Sequence, residues 1–148
     1  MMKVYLACDH GGVEYKNAVK SYLKQEGVIV EDLGVDQYES VDYPDYAEKV
    51  CSRVLDKEDA KGILICGTGI GMSIAANKIR GIRAALVSDC FSAKATREHN
   101  DTNVLCLGQR VIGEGLALMI VDVWLNTEFA GERHQTRIDK INRLEKNK

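Results

Sequence analysis

Cys66 closes the apolar run Ile63-Leu64-Ile65 and is followed by Gly67-Thr68-Gly69-Ile70-Gly71, which puts a thiol at the rim of a glycine-rich turn. Glycines let successive backbone N–H groups face an oxyanion, and a helix starting just beyond the turn adds the positive end of its dipole. A thiol placed there is expected to have a lowered pKa and to be partly thiolate near neutral pH. The same residues also fit a tight turn behind a core cysteine, because free cysteine is among the most buried residue types. Other polar groups cluster at the ends of apolar runs: Cys8-Asp9-His10-Gly11-Gly12, Glu98-His99-Asn100-Asp101-Thr102-Asn103 and Gly108-Gln109-Arg110. Arg133 and Arg137 stand four apart at the start of the last helical pattern, hence on one face of it. A thiol, an imidazole, an oxyanion cradle and an arginine pair suit proton transfer beside the carbonyl of a phosphorylated sugar.

Each residue has a structural alternative. Asp9 fits a helix N-cap, His10 a glycine-flanked turn and His99 a helix C-terminal cap. Thr68 could bond its own backbone, Asn100 is an ordinary turn former, and Arg110, Arg133 and Arg137 could be solvated charges. Convergence of the whole set on one sheet edge is the expectation that favours a site. Several sharper motifs fail at defined positions. A dinucleotide fingerprint starting at Gly67 requires glycine at Met72, and a cysteine phosphatase requires arginine there. No Gly-x-x-x-x-Gly-Lys-Ser/Thr occurs, and His10, His99 and His134 lack metal-ligand spacing, so metal-free catalysis is expected.

These groups must be positioned by a scaffold, and 148 residues suffice for a single domain spanning 1–148. Strand-like runs at 4–8, 28–33, 63–66, 84–88 and 104–107 alternate with helical patterns at 13–26, 45–56, 73–79, 92–98, 113–126 and 135–146. That alternation predicts an α/β fold with a five-stranded parallel sheet covered on both faces, where ligands gather at the carboxyl ends of strands. Gly67, Gly69 and Gly71 then fall in a strand-to-helix turn, and Ile138, Ile141 and Leu144 form the stripe that docks the last helix. A net charge of −2 without a long basic run argues against nucleic acid or an anionic membrane as partner. The chain starts directly on a strand pattern with no leader, which points to the cytoplasm. Five scattered cysteines without Cys-x-x-Cys read as reduced thiols.

Taken together, Cys8-Asp9-His10-Gly11, Asp42-Tyr43-Pro44, Ile65 to Gly71, Ala75-Ala76-Asn77-Lys78, Gly81-Ile82-Arg83-Ala84, His99 to Asn103 and Arg133-His134-Gln135 resemble the type B ribose-5-phosphate isomerases. The wider group includes galactose- and allose-6-phosphate isomerase subunits, and the match runs over essentially the whole chain. The resemblance implies a three-layer α/β/α sandwich, Rossmann-like, forming a homodimer or possibly a tetramer that interconverts ribose 5-phosphate and ribulose 5-phosphate without a cofactor. It also implies sites shared across the dimer interface, with Cys66 and its loop from one chain and His99 with Asn100 from the other. It implies Cys66 as the base, His99 as the group that helps open the furanose ring, and Thr68 as an assistant near the reacting atoms. Asp9 and His10 would contact the sugar or its phosphate, Gly67, Thr68, Gly69, Ile70 and Gly71 would supply N–H groups, and Asn100 would bind a hydroxyl. Arg110, Arg133 and Arg137 match substrate and phosphate ligands. Some relatives carry a glutamate a few positions after the cysteine; Ser73, Ile74 and Ala75 here assign the chain to the cysteine-type branch. A six-carbon sugar phosphate isomerase and a non-catalytic sugar-phosphate-binding module are the alternatives.

Overall fold

A computed structural model describes residues 2–146. Five strands, β1 (Lys3–Cys8), β2 (Ile29–Asp32), β3 (Ala60–Cys66), β4 (Ala84–Leu86) and β5 (Val104–Gly108), form one all-parallel sheet in the order β2-β1-β3-β5-β4. Six helices connect or follow them: α1 (Val13–Gln25), α2 (Tyr43–Leu55), α3 (Ile70–Asn77), α4 (Cys90–Asn100), α5 (Glu114–Leu125) and α6 (Arg133–Lys146). Among the described residues no helix is long and apolar enough to cross a membrane.

The central strands read as continuous apolar runs because both faces are buried, and the period of two sorts their side chains between two cores. Val4, Leu6, Cys8, Ile63, Ile65, Leu105 and Leu107 join α1 and α5 on one face. Tyr5, Ala7, Leu64, Cys66, Val104 and Cys106 join α2 and α3 on the other. Trp124 of α5 is fully buried and its Nε1–H donates to Thr102 Oγ1 at 3.0 Å. The chain leaves β1 for β2 on one side and returns to β3 on the other. Their carboxyl ends therefore flank a topological switch point, the place where open α/β sheets hold ligands.

Three expectations need correction. Helix α3 begins at Ile70, not Ser73, so Gly71 belongs to its first turn and only Gly67 and Gly69 lie in the bend. The reason is Gly69, whose left-handed φ of 80° makes the sharp reversal that starts the helix directly behind it. Pro44 likewise starts α2 earlier than expected, since proline suits a first helical turn. Of the apolar stripe on α6 only Ile138 is buried; Ile141 and Leu144 remain 43% and 65% exposed, so the stripe is docked at one position only.

Candidate active site

At the carboxyl end of β3, Cys66 is buried and its Sγ accepts a hydrogen bond from Gly69 N–H at 3.1 Å. The loop turns back so tightly that a Cβ on Gly69 would lie 2.9 Å from the Leu107 carbonyl carbon. Thr68 is exposed and its Oγ1 accepts Ile70 N–H at 3.2 Å. Two of the amides expected to face an oxyanion, those of Gly69 and Ile70, are thus engaged inside the loop, because the three- and two-residue spacings bring Sγ and Oγ1 onto them. That leaves Gly67, Thr68 and Gly71 as the remaining amides of the proposed set.

The end of β1 lies alongside. Asp9 is buried, and its Oδ1 accepts Gly11 N–H at 2.8 Å, so it organises the turn; the residue before α1 is Gly12 rather than Asp9. His10 Nδ1 accepts Val41 N–H at 3.3 Å, which leaves Nε2 as the ring's donor. Val41 belongs to the loop after β2, and that loop is anchored by fully buried Lys16. Its ammonium donates to Asp32 at 2.8 Å and to Asp36 at 2.7 Å. Burial works against the Lys16 charge, but the two carboxylates outweigh it and hold its pKa above the ordinary lysine value. Arg110 follows β5 and is exposed, with a guanidinium nitrogen 3.3 Å from where a Cβ on Gly67 would stand. Tyr43 at the start of α2 lies across α3, where a Cβ on Gly71 would meet its ring at 2.6 Å.

The remaining expected residues lie elsewhere. Helix α4 leaves the carboxyl edge and runs back along the sheet, so His99 and Asn100, at its last turn, reach the amino edge. Eleven helical residues rise about 16 Å, which separates them from the Cys66 loop by the depth of the sheet. Within one chain, therefore, the whole set does not converge on one sheet edge as its placement at the ends of apolar runs suggests. His99 is not a cap, for Asp101 holds that place at φ 45°. Arg83 donates from Nε to the Asn100 carbonyl at 2.9 Å and from Nη2 to the Asp101 carbonyl at 2.8 Å. Buried Arg97 donates from Nη1 to Asp101 Oδ1 at 2.9 Å and to the Thr102 carbonyl at 2.6 Å. The Asn100 side chain bends back, its Oδ1 accepting from Thr96 Oγ1 at 3.1 Å. Arg133 and Arg137, both exposed, flank buried His134 on α6, and the His134 ring stacks on His99 with centroids 4.5 Å apart. His134 and the arginine forks of Arg83 and Arg97 are not among the expected site residues; no local spacing relates His134 or Arg83 to His99, whereas Arg97 shares its helical turn.

The thiols differ by environment. Burial raises the pKa of Cys8 to about 11 and that of Cys51 to about 12, and pushes Cys106 well above the ordinary thiol value. Two open grooves lie away from Cys66. One of ≈ 580 Å³ lies between Leu33 and α2, and one of ≈ 480 Å³ takes in Asn100, Ala84 and the α6 residues Ile141 and Leu144. Both are open surface features, so their size does not mark the reacting atoms. Among the described residues no group of three His, Cys, Asp or Glu side chains is arranged to hold a metal ion.

The profile of the Ribose/Galactose Isomerase family matches residues 4–141. A putative sugar phosphate isomerase of Bacillus subtilis is 59% identical over 145 residues, covering 97% of each chain. The solved structure of Clostridium thermocellum ribose-5-phosphate isomerase B superposes with a TM-score of 0.96 at 51% identity, covering 99% of each chain. That of Mycoplasma genitalium ribose-5-phosphate isomerase B with bound ribulose 5-phosphate gives 0.95 at 41% identity, covering 99% of this chain and 98% of that one. A sheet order, a switch-point site and a full-length sequence match thus agree, and the chain belongs to the Ribose/Galactose Isomerase family.

Proposed function

We propose that the protein interconverts ribose 5-phosphate and ribulose 5-phosphate through an enediolate, with Cys66 moving the proton between C2 and C1. The observation that carries this reading is the Cys66 loop at the switch point, where a thiol is bonded by the Gly69 N–H and faces the start of α3. Removing a proton beside a carbonyl leaves charge on oxygen, and oriented N–H donors lower the cost of that charge. The remaining amides of Gly67, Thr68 and Gly71 serve it, with Thr68 near the reacting atoms. Asp9 and His10, whose Nε2–H is set by Val41, bind the sugar, and Arg110 binds substrate beside Gly67. His99 assists ring opening, Asn100 binds a hydroxyl, and Arg133 and Arg137 hold the phosphate.

This assignment requires two chains. The Cys66 half-site and the His99 half-site stand at opposite edges of one sheet, so a complete site forms where the carboxyl edge of one copy meets the amino edge of another. The surface beside the Cys66 loop suits such a contact: Ile70 and Ile74 of α3 are 50% and 58% exposed, and Ile70, Leu86 and Val111 line a shallow apolar hollow next to Thr68. A twofold pairing completes two sites at once, giving a homodimer with shared sites.

The direct test is to incubate the purified protein with ribose 5-phosphate, unphosphorylated ribose and allose 6-phosphate and to follow ketose formation. Fast turnover of the phosphorylated pentose alone is the expected result. A preference for the six-carbon substrate would replace the pentose reading, and binding without turnover of any of them would make the protein a sugar-phosphate-binding module.

A further inference from the structure

His134 has no part in the assignment above, yet it is the more buried of the two stacked imidazoles. Its ring lies 4.5 Å from that of His99 with an interplanar angle of 18°. His99 is exposed on the last turn of α4, whereas His134 is covered on the first turn of α6. The backbones behind the two rings are tied together. Ala130 N–H donates to the Glu98 carbonyl at 3.1 Å, and Arg97 Nε–H donates to the Thr127 carbonyl at 3.1 Å.

We propose that His134 is a positioning residue for His99, a plate against which the exposed imidazole lies so that its nitrogens face the sugar in one direction. The inference rests on the reading that His99 assists ring opening. An exposed histidine at a helix end can turn about two side-chain torsions, and holding it in one orientation costs conformational entropy. A parallel ring at stacking distance offsets that cost. His134 suits the role because it stays neutral: burial first, then the charges of His99, Arg133 and Arg137, hold its pKa below the ordinary histidine value, with Glu132 acting in the opposite direction. A neutral plate adds no like charge beside His99. It also joins the two functions on α6, since the arginines one residue before and three after His134 are the proposed phosphate ligands.

The chemistry provides a test that a merely structural role would not satisfy. Ribose 5-phosphate must open its ring before it reacts. Ribulose 5-phosphate cannot close one, because its 5-oxygen carries the phosphate. His134→Ala removes the plate and His134→Phe keeps it. With ribose 5-phosphate, kcat of His134→Ala should fall about two- to tenfold, the rate equivalent of one aromatic pair, while His134→Phe retains most of it. With ribulose 5-phosphate, followed by loss of the ketose carbonyl, both variants should match the wild-type initial rate. Equal losses from both substrates in His134→Ala, or a His134→Phe variant as slow as His134→Ala, would overturn the inference. Failure of the wild-type protein to consume ribulose 5-phosphate would instead overturn the reading on which it rests.

Discussion

At the carboxyl end of the sheet the groups proposed to function are held mainly by backbone: Gly69 N–H on Cys66 Sγ, Gly11 N–H on Asp9, and Val41 N–H on His10. At the amino end they are held by side chains, with Arg83 and Arg97 gripping the carbonyls that follow α4 and His134 stacked on His99. Cys66 and Asp9 are buried, whereas His99, Asn100, Arg133 and Arg137 are exposed. The difference suits a division of labour. Proton transfer needs a fixed atom shielded from water, and that demand is met by tight turns on buried strands. In the proposed reading, capture of a charged, flexible substrate falls to long cationic side chains on helix ends, which a second copy would cover.

The comparison breaks most sharply at Cys66. Cys66→Ala should lower kcat by about 10²- to 10⁴-fold, the usual contribution of a general base, with substrate affinity by calorimetry nearly unchanged. Alkylation should follow the same line: in a Cys90→Ser background, which removes the half-buried thiol, iodoacetamide should modify Cys66 first and substrate should protect it. Cys8 and Cys51, with pKa values raised to about 11 and about 12, should stay unmodified at pH 7.5 in peptide maps. Retained turnover in Cys66→Ala, or first reaction at Cys8, would remove the chemical role from this edge.

Arg137 tests the other edge. A charge-assisted hydrogen bond to phosphate contributes roughly 1.5 to 3 kcal/mol, so Arg137→Ala should raise KM on the order of ten- to a hundredfold with kcat little changed. Arg133→Ala should behave alike. An effect on kcat alone would place these arginines at the reacting atoms and blur the division between the edges.

Much of this arrangement is legible in the sequence, for specific reasons. The strands are visible because burial on both faces leaves continuous apolar runs, and the Cys66 turn because glycines mark a reversal between a strand and a helix. His99 shows where reading by proximity fails. It precedes β5, whereas Cys66 follows β3; in a parallel sheet, groups before and after strands must lie at opposite edges. The pairing order β3-β5-β4, the His99–His134 stack and the Arg83 fork are long-range contacts that leave no periodic trace, whereas Arg97 reaches Asp101 at the i, i+4 spacing of one helix face. Ile141 and Leu144 carry the apolar spacing of a docked helix, yet they remain exposed beside the groove that takes in Asn100.

A mixing experiment asks whether the two edges belong to one site. Cys66→Ala and His99→Ala homodimers should each be inactive, since every site lacks one group. Unfolding equal amounts together and refolding them pairs chains at random, so about half the dimers are mixed, each with one intact site of two, and roughly a quarter of wild-type activity should return. Mass spectrometry establishes that mixed dimers formed. Their formation without recovered activity would place Cys66 and His99 in the same chain's site and dissolve the two-edge arrangement.

The smallest effect concerns how the amino edge is held. Arg83 spans two carbonyls, those of Asn100 and Asp101, through the Nε and Nη2 atoms of one planar fork. Lysine keeps the charge and can reach one acceptor, but it cannot span both at fixed geometry. Losing one such bond at a half-buried position is worth about 0.5 to 1.5 kcal/mol, and part of that loss is relaxed because Arg97 still grips Asp101 and Thr102. Arg83→Lys should therefore slow ribose 5-phosphate turnover only about threefold, while leaving the iodoacetamide reactivity of Cys66 at the wild-type rate. The second readout gives the experiment its force. Cys66 and the Asn100 turn of the same chain lie a sheet's depth apart, so within one chain a substitution at the turn has no short path to the thiol. A changed alkylation rate in Arg83→Lys would show that the amino edge is felt at the thiol, across the shared site or through the body of the chain, and a rate unchanged alongside the slower turnover would confine Arg83 to the edge it holds.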